Sequence, residues 1–240
     1  MNNFSITLKT LKMILIEWKS AVGIYLAMTA LITTYLIFED INYIMEFDER
    51  IHMSITIPNL IFVFIIGITG FAEEFRLVTS FNISRRIFFF AQTLALFILG
   101  TSLAIADSAF ATFLTEASGI RFRHLLEFLR SQPSQAAELI IMSASLNITL
   151  AFTGWLIRLL YYRANKLQTI LLSISPAVLY LFLVTSDNLL SADLYRNLLN
   201  MLEWLHYQTG NIVNASIMML LASLFFASLC YILIRRAPIK

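Results

Sequence analysis

Six apolar stretches of 18 to 23 residues, all free of Asp, Glu, Lys, Arg and His, constrain this chain more than any other feature of its sequence. A helix needs about 20 mostly apolar residues to cross a bilayer, and a central charge costs about 2.5–3.5 kcal/mol on insertion scales. The stretches are residues 21–38, 54–72, 87–106, 139–157, 168–185 and 212–234. They predict an all-α, polytopic membrane protein in the lipid bilayer, with residues 1–240 forming a single transmembrane domain.

The composition argues against other classes of protein. Only 13% of the 240 residues are charged, about half the usual share for a soluble domain, so a soluble globule of this size would lack a charged surface. The net charge of +2 gives no indication of a nucleic-acid partner. No small-residue cleavage pattern follows the first apolar stretch, so we expect a retained span. Ser175-Pro176 interrupts the fifth span, where we expect a kink.

The placement of Lys and Arg predicts the orientation. With the N-terminus inside, the inner segments carry 12 of the 17 Lys and Arg residues, and the outer segments carry 12 of the 15 acids. Because cytoplasmic loops of membrane proteins are enriched in Lys and Arg, we expect both termini to be cytoplasmic.

Residues 4–19 carry an apolar stripe at helical spacing, and their lysines lie largely off it. The stripe consists of Phe4, Leu8, Leu11, Leu15 and Trp18. This pattern predicts an N-terminal amphipathic interfacial helix on the inner leaflet, ahead of the first span. A plain extension of the first span is the alternative.

The first inner loop, residues 73–86, is short, amphipathic and charged with both signs, and a cytoplasmic partner protein could bind to it. A solvated turn that obeys the charge rule would have the same composition. Asn82 and Ser84 are both possible N-caps for the third span. The candidate residues are Glu73, Glu74, Phe75, Arg76, Asn82, Ser84, Arg85 and Arg86.

The outer segments are acidic or amphipathic. Residues 39–53 hold five acids, and the long segment 107–138 contains a helical apolar face at 122–129. In the segment 186–211, a leucine-rich stripe at 190–205 predicts a helix at the outer interface.

The sequence predicts no catalytic, cofactor-binding or metal residue. No stretch fits the P-loop pattern, and all three histidines lie in outer segments. Glu73-Glu74 is similar to the glutamate pair of CAAX-type intramembrane proteases, but the following Arg is wrongly spaced and no span supplies a His. The absence of acids from the predicted spans also argues against a proton- or sodium-driven transporter.

Polar residues within the spans have two interpretations. They could line a substrate pathway, or they could form hydrogen bonds between helices, which we favour because polar groups in lipid need partners. The residues are Asn59, Gln92, Asn147, Ser173, Ser175 and Asn214.

Two inner motifs and the overall layout resemble the permease subunits of type V ABC exporters, a class that includes small bacterial drug and peptide exporters. The first motif is Glu74-Phe75-Arg76 with Asn82-Ile83-Ser84-Arg85-Arg86, and the second is Gly154-Trp155 with Tyr162-Arg163-Ala164-Asn165-Lys166. The long segment 107–138 departs from the pattern.

The resemblance implies a bacterial plasma-membrane permease without enzymatic activity. Residues 73–86 would be the coupling helix that docks on a separate ABC ATPase subunit, and residues 4–19 the connecting helix. Two permease chains, identical or different, would pair and export an amphipathic substrate such as a peptide, bacteriocin, lipid or drug. The alternative is a non-transporting immunity or sensor protein that binds a peptide at its outer helices.

Overall fold

A computed structural model describes residues 3–47, 56–118, 136–185 and 212–237. Every regular element in these residues is a helix, as the apolar pattern predicts. The seven helices are α1 (Asn3–Phe47), α2 (Thr56–Thr69), α3 (Ala72–Ser80), α4 (Arg85–Ser118), α5 (Ala136–Arg163), α6 (Lys166–Thr185) and α7 (Ile212–Arg235). The predicted outer helices at 122–129 and 190–205 lie outside the described residues.

Among the residues that the structure describes, four helices are long and apolar enough to cross a membrane, which fits a membrane protein. They contain the predicted first, third, fourth and sixth spans. The predicted second span ends earlier than expected: α2 ends at Thr69, because the chain turns at Gly70 and Phe71. α6 runs as one helix of 20 residues through Ser175-Pro176 and covers the predicted fifth span. Six crossings are therefore not confirmed.

The N-terminal segment and the first span form one continuous helix, which differs from the predicted separate interfacial helix. α1 has 45 residues, which corresponds to about 67 Å at 1.5 Å per residue. The physical reason is the absence of a helix breaker at the junction Lys19-Ser20-Ala21. Only part of the predicted stripe is uncovered: Phe4 is 71% exposed, whereas Trp18 is buried.

α5 lies at the centre of the bundle and packs against α2, α4 and α7. Its contact with α2 brings the two backbones together at Gly67 and Gly154. A methyl group on Gly67 would collide with the carbonyl oxygen of Ala151, and one on Gly154 would lie 2.5 Å from that of Phe64. Small residues allow this close approach, which is common between membrane helices.

Amide side chains join the helices elsewhere. Asn59 on α2 donates to the Leu103 carbonyl on α4 at 3.3 Å, and Asn147 on α5 donates to the Gly100 carbonyl at 3.2 Å. Gln92 on α4 donates to the Gly70 carbonyl at 3.3 Å. Interhelical hydrogen bonding is thus confirmed for Asn59 and Asn147, whereas Gln92 bonds to the turn that follows α2.

We expect Gly154→Ala to lower the unfolding temperature in detergent, because the added methyl group must separate α2 from α5. Overpacking costs about 1–3 kcal/mol, which corresponds to several degrees for a chain of this size. Gly23→Ala is the matched control, since no atom lies within 4 Å of the added methyl group there. A Gly154→Ala protein as stable as the Gly23→Ala protein would contradict the backbone contact.

Candidate functional site

The segments predicted to face the cytoplasm meet at one end of the bundle, which we call the α3 end. The Arg85 guanidinium donates to the Arg235 carbonyl at 2.8 Å and so joins the start of α4 to the end of α7. Tyr162, near the end of α5, packs edge-on against Phe71 with ring centroids 5.2 Å apart. α1 reaches the same place through Trp18.

The short helix α3 has two faces. Glu74, Phe75 and Val78 are buried against the bundle. Its other face is exposed and carries both charge and apolar surface. We call this face the α3 platform, and it consists of Glu73, Arg76, Leu77, Ser80 and Phe81.

An aromatic group holds the buried face of α3 in place. Phe75 stacks on Phe71 at 5.1 Å and meets Phe88 of α4 edge-on at 5.4 Å. It also meets Tyr162 of α5 edge-on at 6.2 Å. Aromatic pairs in such geometries contribute about 0.5–1.5 kcal/mol each beyond the area they bury, so α3 is attached firmly to two long helices.

A buried carboxyl group lies directly under the platform. The Trp18 indole Nε1 donates to Glu74 Oε1 at 2.5 Å, and Glu74 is only 1% exposed. A methyl group on Gly70 would lie 3.1 Å from Trp18 Nε1 and 3.2 Å from Glu74 Oε1, so glycine leaves room for this contact. We call Trp18, Gly70, Glu74 and Gln92 the Glu74 cluster.

Burial raises the pKa of Glu74 to about 8, and the negative charges of Glu17 and Glu73 act in the same direction. Hydrogen bonds from Trp18 and Gln92 lower the pKa, but desolvation is the larger effect. The carboxyl is therefore largely protonated at neutral pH.

The two glutamates of the predicted pair lie in different surroundings. Glu73 is exposed on the platform, whereas Glu74 is buried beneath it. Among the residues that the structure describes, no group of three His, Cys, Asp or Glu side chains could hold a metal ion.

The turn between α3 and α4 assigns different roles to the two predicted caps. Asn82 has φ of 56° and ends α3: its N–H donates to the Thr79 carbonyl, and the Ile83 N–H donates to the Val78 carbonyl. These two bonds form a Schellman motif, so the N-cap role predicted for Asn82 is wrong. Ser84 is the N-cap of α4, since its hydroxyl accepts from the Ile87 N–H at 3.4 Å.

The other predicted residues divide into exposed and structural groups. Arg76 and Arg86 are exposed, whereas Phe75 is buried and Arg85 is engaged with α7. A groove of about 500 Å³ separates the first turns of α1 from the α3–α4 turn, and Lys9 and Phe81 lie on its opposite sides.

Sequence reasoning missed the other members of the Glu74 cluster. Trp18 was placed on a lipid-facing stripe and Gln92 within a span. The available signal was the combination of a Glu beside an apolar stretch with single polar residues on neighbouring helices.

Comparisons with protein-family models, curated proteins and solved structures give no match to this chain. The resemblance to exporter permeases therefore rests on the two inner motifs and the layout alone.

We expect the stability of the chain to fall as pH rises from about 5 to about 8 and then to level off. The sign follows from the pKa of Glu74, which rises from 4.5 when exposed to about 8 when folded, so the folded state holds the extra proton across this range. The limiting slope for one group is about 1.4 kcal/mol per pH unit. Unfolding temperatures measured in detergent at several pH values give this pH dependence of stability.

Glu74→Gln should remove this pH dependence, because its amide resembles the protonated carboxyl and does not titrate. Glu73→Gln is the control, since Glu73 is the exposed neighbour. Equal pH profiles for Glu74→Gln and the unmodified chain would contradict the assignment.

We expect Trp18→Phe to move the pH range of stability loss upward. The indole N–H lowers the pKa of Glu74, so its removal should raise that pKa. Trp155→Phe is a matched control: Trp155 is fully buried, and its Nε1 has no hydrogen-bond partner among the described residues. Both variants shrink a buried ring, so unfolding temperature alone does not separate them. An unmoved pH range in Trp18→Phe would contradict the role given to the indole.

Proposed function

We propose that the chain is the permease subunit of an ATP-driven type V ABC exporter in a bacterial plasma membrane, and that the α3 platform docks on a separate ATPase subunit. The observation that carries the proposal is the construction of α3: one face is anchored in the bundle and the other is exposed. A docking element needs both properties. A free loop would absorb the motion of a partner instead of passing it on.

The anchoring supports transmission to several helices at once. Glu74 joins α3 to α1 through Trp18, Phe75 joins it to α4 through Phe88, and Tyr162 joins it to α5. A displacement of the platform would therefore move three long helices. Because packed interfaces change between discrete arrangements, such a displacement can switch a pathway.

The surface of the platform suits a protein partner. Arg76 supplies a charge that can pair with an acid, and Leu77 and Phe81, which are 40% and 63% exposed, supply apolar area. Arg side chains and aromatic rings are enriched in protein interfaces. In the proposed orientation, with both termini cytoplasmic, the α3 end faces the ATPase.

One argument for an external energy source no longer holds. The predicted third span ends at residue 106, but the candidate span in α4 continues to Phe113 and includes Asp107. An acid therefore lies within a candidate span, and the sequence argument against ion-driven transport loses its basis. The proposal rests on α3.

A second permease chain fits the position of α6. This helix packs only sparsely against the other described helices, and Leu167, Ile170 and Leu171 on it are more than half exposed. Pairing of two chains along α6 would cover this surface. The proposed cargo is amphipathic, with a peptide or bacteriocin favoured over a lipid or drug.

The proposal predicts that an ATPase subunit with a P-loop co-purifies with the tagged chain from host membranes. Arg76→Glu combined with Phe81→Ser should reduce the co-purified ATPase at least tenfold, because it reverses the charge and removes the apolar surface of the platform. The amount and unfolding temperature of the chain should not change, since both side chains are exposed.

Arg236→Glu is the control, because Arg236 is exposed and its sequence position adjoins the end of α7. Equal recovery of the ATPase with both variants would refute docking at the platform. An active chain in cells that lack the ATPase would favour the immunity or sensor alternative instead.

A further inference from the structure

A small cavity lies between α1 and α4, at the end of the bundle opposite α3. Its volume is about 210 Å³, and we call it the Asp107 cavity. Most of the wall is apolar. The lining includes Tyr25, Thr29, Asn59, Leu103, Asp107 and Phe110.

Asp107 is buried within a candidate span. It is 5% exposed and lies on the candidate span Arg85–Phe113, directly after the charge-free stretch 87–106. Acids within membrane spans are rare, pair with other groups and mark functional sites.

A second acceptor lines the same cavity. Asn59 is 3% exposed, and its amide N–H donates to the Leu103 carbonyl. A carbonyl can only accept, so this bond fixes the amide nitrogen on that side. The amide oxygen, Oδ1, has no hydrogen-bond partner among the described residues. A buried acceptor without a donor is costly, which indicates that a ligand supplies one.

The remaining polar groups of the lining include two hydroxyls, which can both donate and accept. The Tyr25 hydroxyl interacts with Thr29 and with Asp107. The described residues that line the cavity include no Lys, Arg or His. An acceptor-rich cavity with a carboxylate and apolar walls suits a cation that donates hydrogen bonds and carries an alkyl chain.

We propose that the Asp107 cavity binds the ammonium group of a small amphipathic amine, with Asp107 as the counter-ion and Asn59 Oδ1 as the second acceptor. An ammonium group has three N–H donors, enough for both acceptors and one further contact. A water molecule takes about 30 Å³ in the liquid, so the cavity has room for roughly seven non-hydrogen atoms, the number in hexylamine.

The proposal does not depend on ATPase docking, which involves the opposite end of the bundle. It is tested on the full chain alone, purified in an uncharged maltoside detergent. Binding of hexylammonium, hexanol and hexyltrimethylammonium is measured by calorimetry and by the shift in unfolding temperature. Hexylammonium should bind saturably, and hexanol at least tenfold more weakly because it lacks the charge. Hexyltrimethylammonium should bind several-fold more weakly because it has no N–H donor.

Two variants locate the site. Asp107→Asn removes the charge with little change in shape and should weaken hexylammonium binding at least tenfold. Ala106→Leu fills the cavity without altering any polar group and should also abolish binding, which covers the case in which Asp107→Asn fails to fold. Glu17→Gln, at an exposed acid on α1 outside the cavity lining, is the control and should bind normally.

Equal binding of hexanol and hexylammonium would overturn the proposal, as would unchanged binding in either folded cavity variant. Nanodiscs then separate two sources of the ammonium group. Loss of hexylammonium binding in nanodiscs that contain phosphatidylethanolamine, but not in nanodiscs of phosphatidylglycerol alone, would mean that the ethanolamine headgroup competes for the cavity and is its occupant. Equal binding in both kinds of nanodisc would identify a free amine as the occupant.

Discussion

The hydrogen bond between Trp18 and Glu74 joins α1 to α3, and no other hydrogen bond between these two helices is seen among the described residues. Glu74 is nearly fully buried, and its retained proton lowers the cost of that burial. The indole bond holds α1 against α3 at Trp18, and Gly70 leaves the space that this approach requires. The platform can face outward because its underside is fixed in this way.

A second constraint, close packing between helices, determines how α5 is arranged against α2, α4 and α7. Lipid is as apolar as leucine, so membrane helices gain little from hydrophobic contact with one another and depend on close packing and hydrogen bonds. α5 meets both needs: Gly154 brings it against α2, Asn147 bonds to α4, and the Thr149 hydroxyl donates to the Met219 carbonyl on α7 at 2.8 Å. α5 is central for this reason, although its sequence is no more apolar than that of its neighbours.

The sequence predicted the helical class and the four helices long enough to span, because charge-free length is a local property. It favoured a separate interfacial helix over a plain extension of the first span, since an apolar stripe does not show whether Leu11 and Trp18 face lipid or pack against other helices. The end of the third span was placed at 106, because charge was used to mark it and Asp107 is the next residue. A buried acid is recognisable only when its neighbours are known, and here they come from α1 and α2, more than 40 residues away in sequence.

The two sites share a pair of helices. Trp18 and Tyr25 are seven residues apart on α1, close to two helical turns, so they lie on the same side of that helix. Gln92 and Asp107 are both on α4, which packs against α1. An ammonium ligand in the Asp107 cavity would contact the same α1–α4 interface that the Glu74 cluster holds together at the other end. Coupling between the two sites then requires only that this interface has two arrangements. The amine and the ATPase would each shift the equilibrium between these arrangements by the difference in its affinity for them.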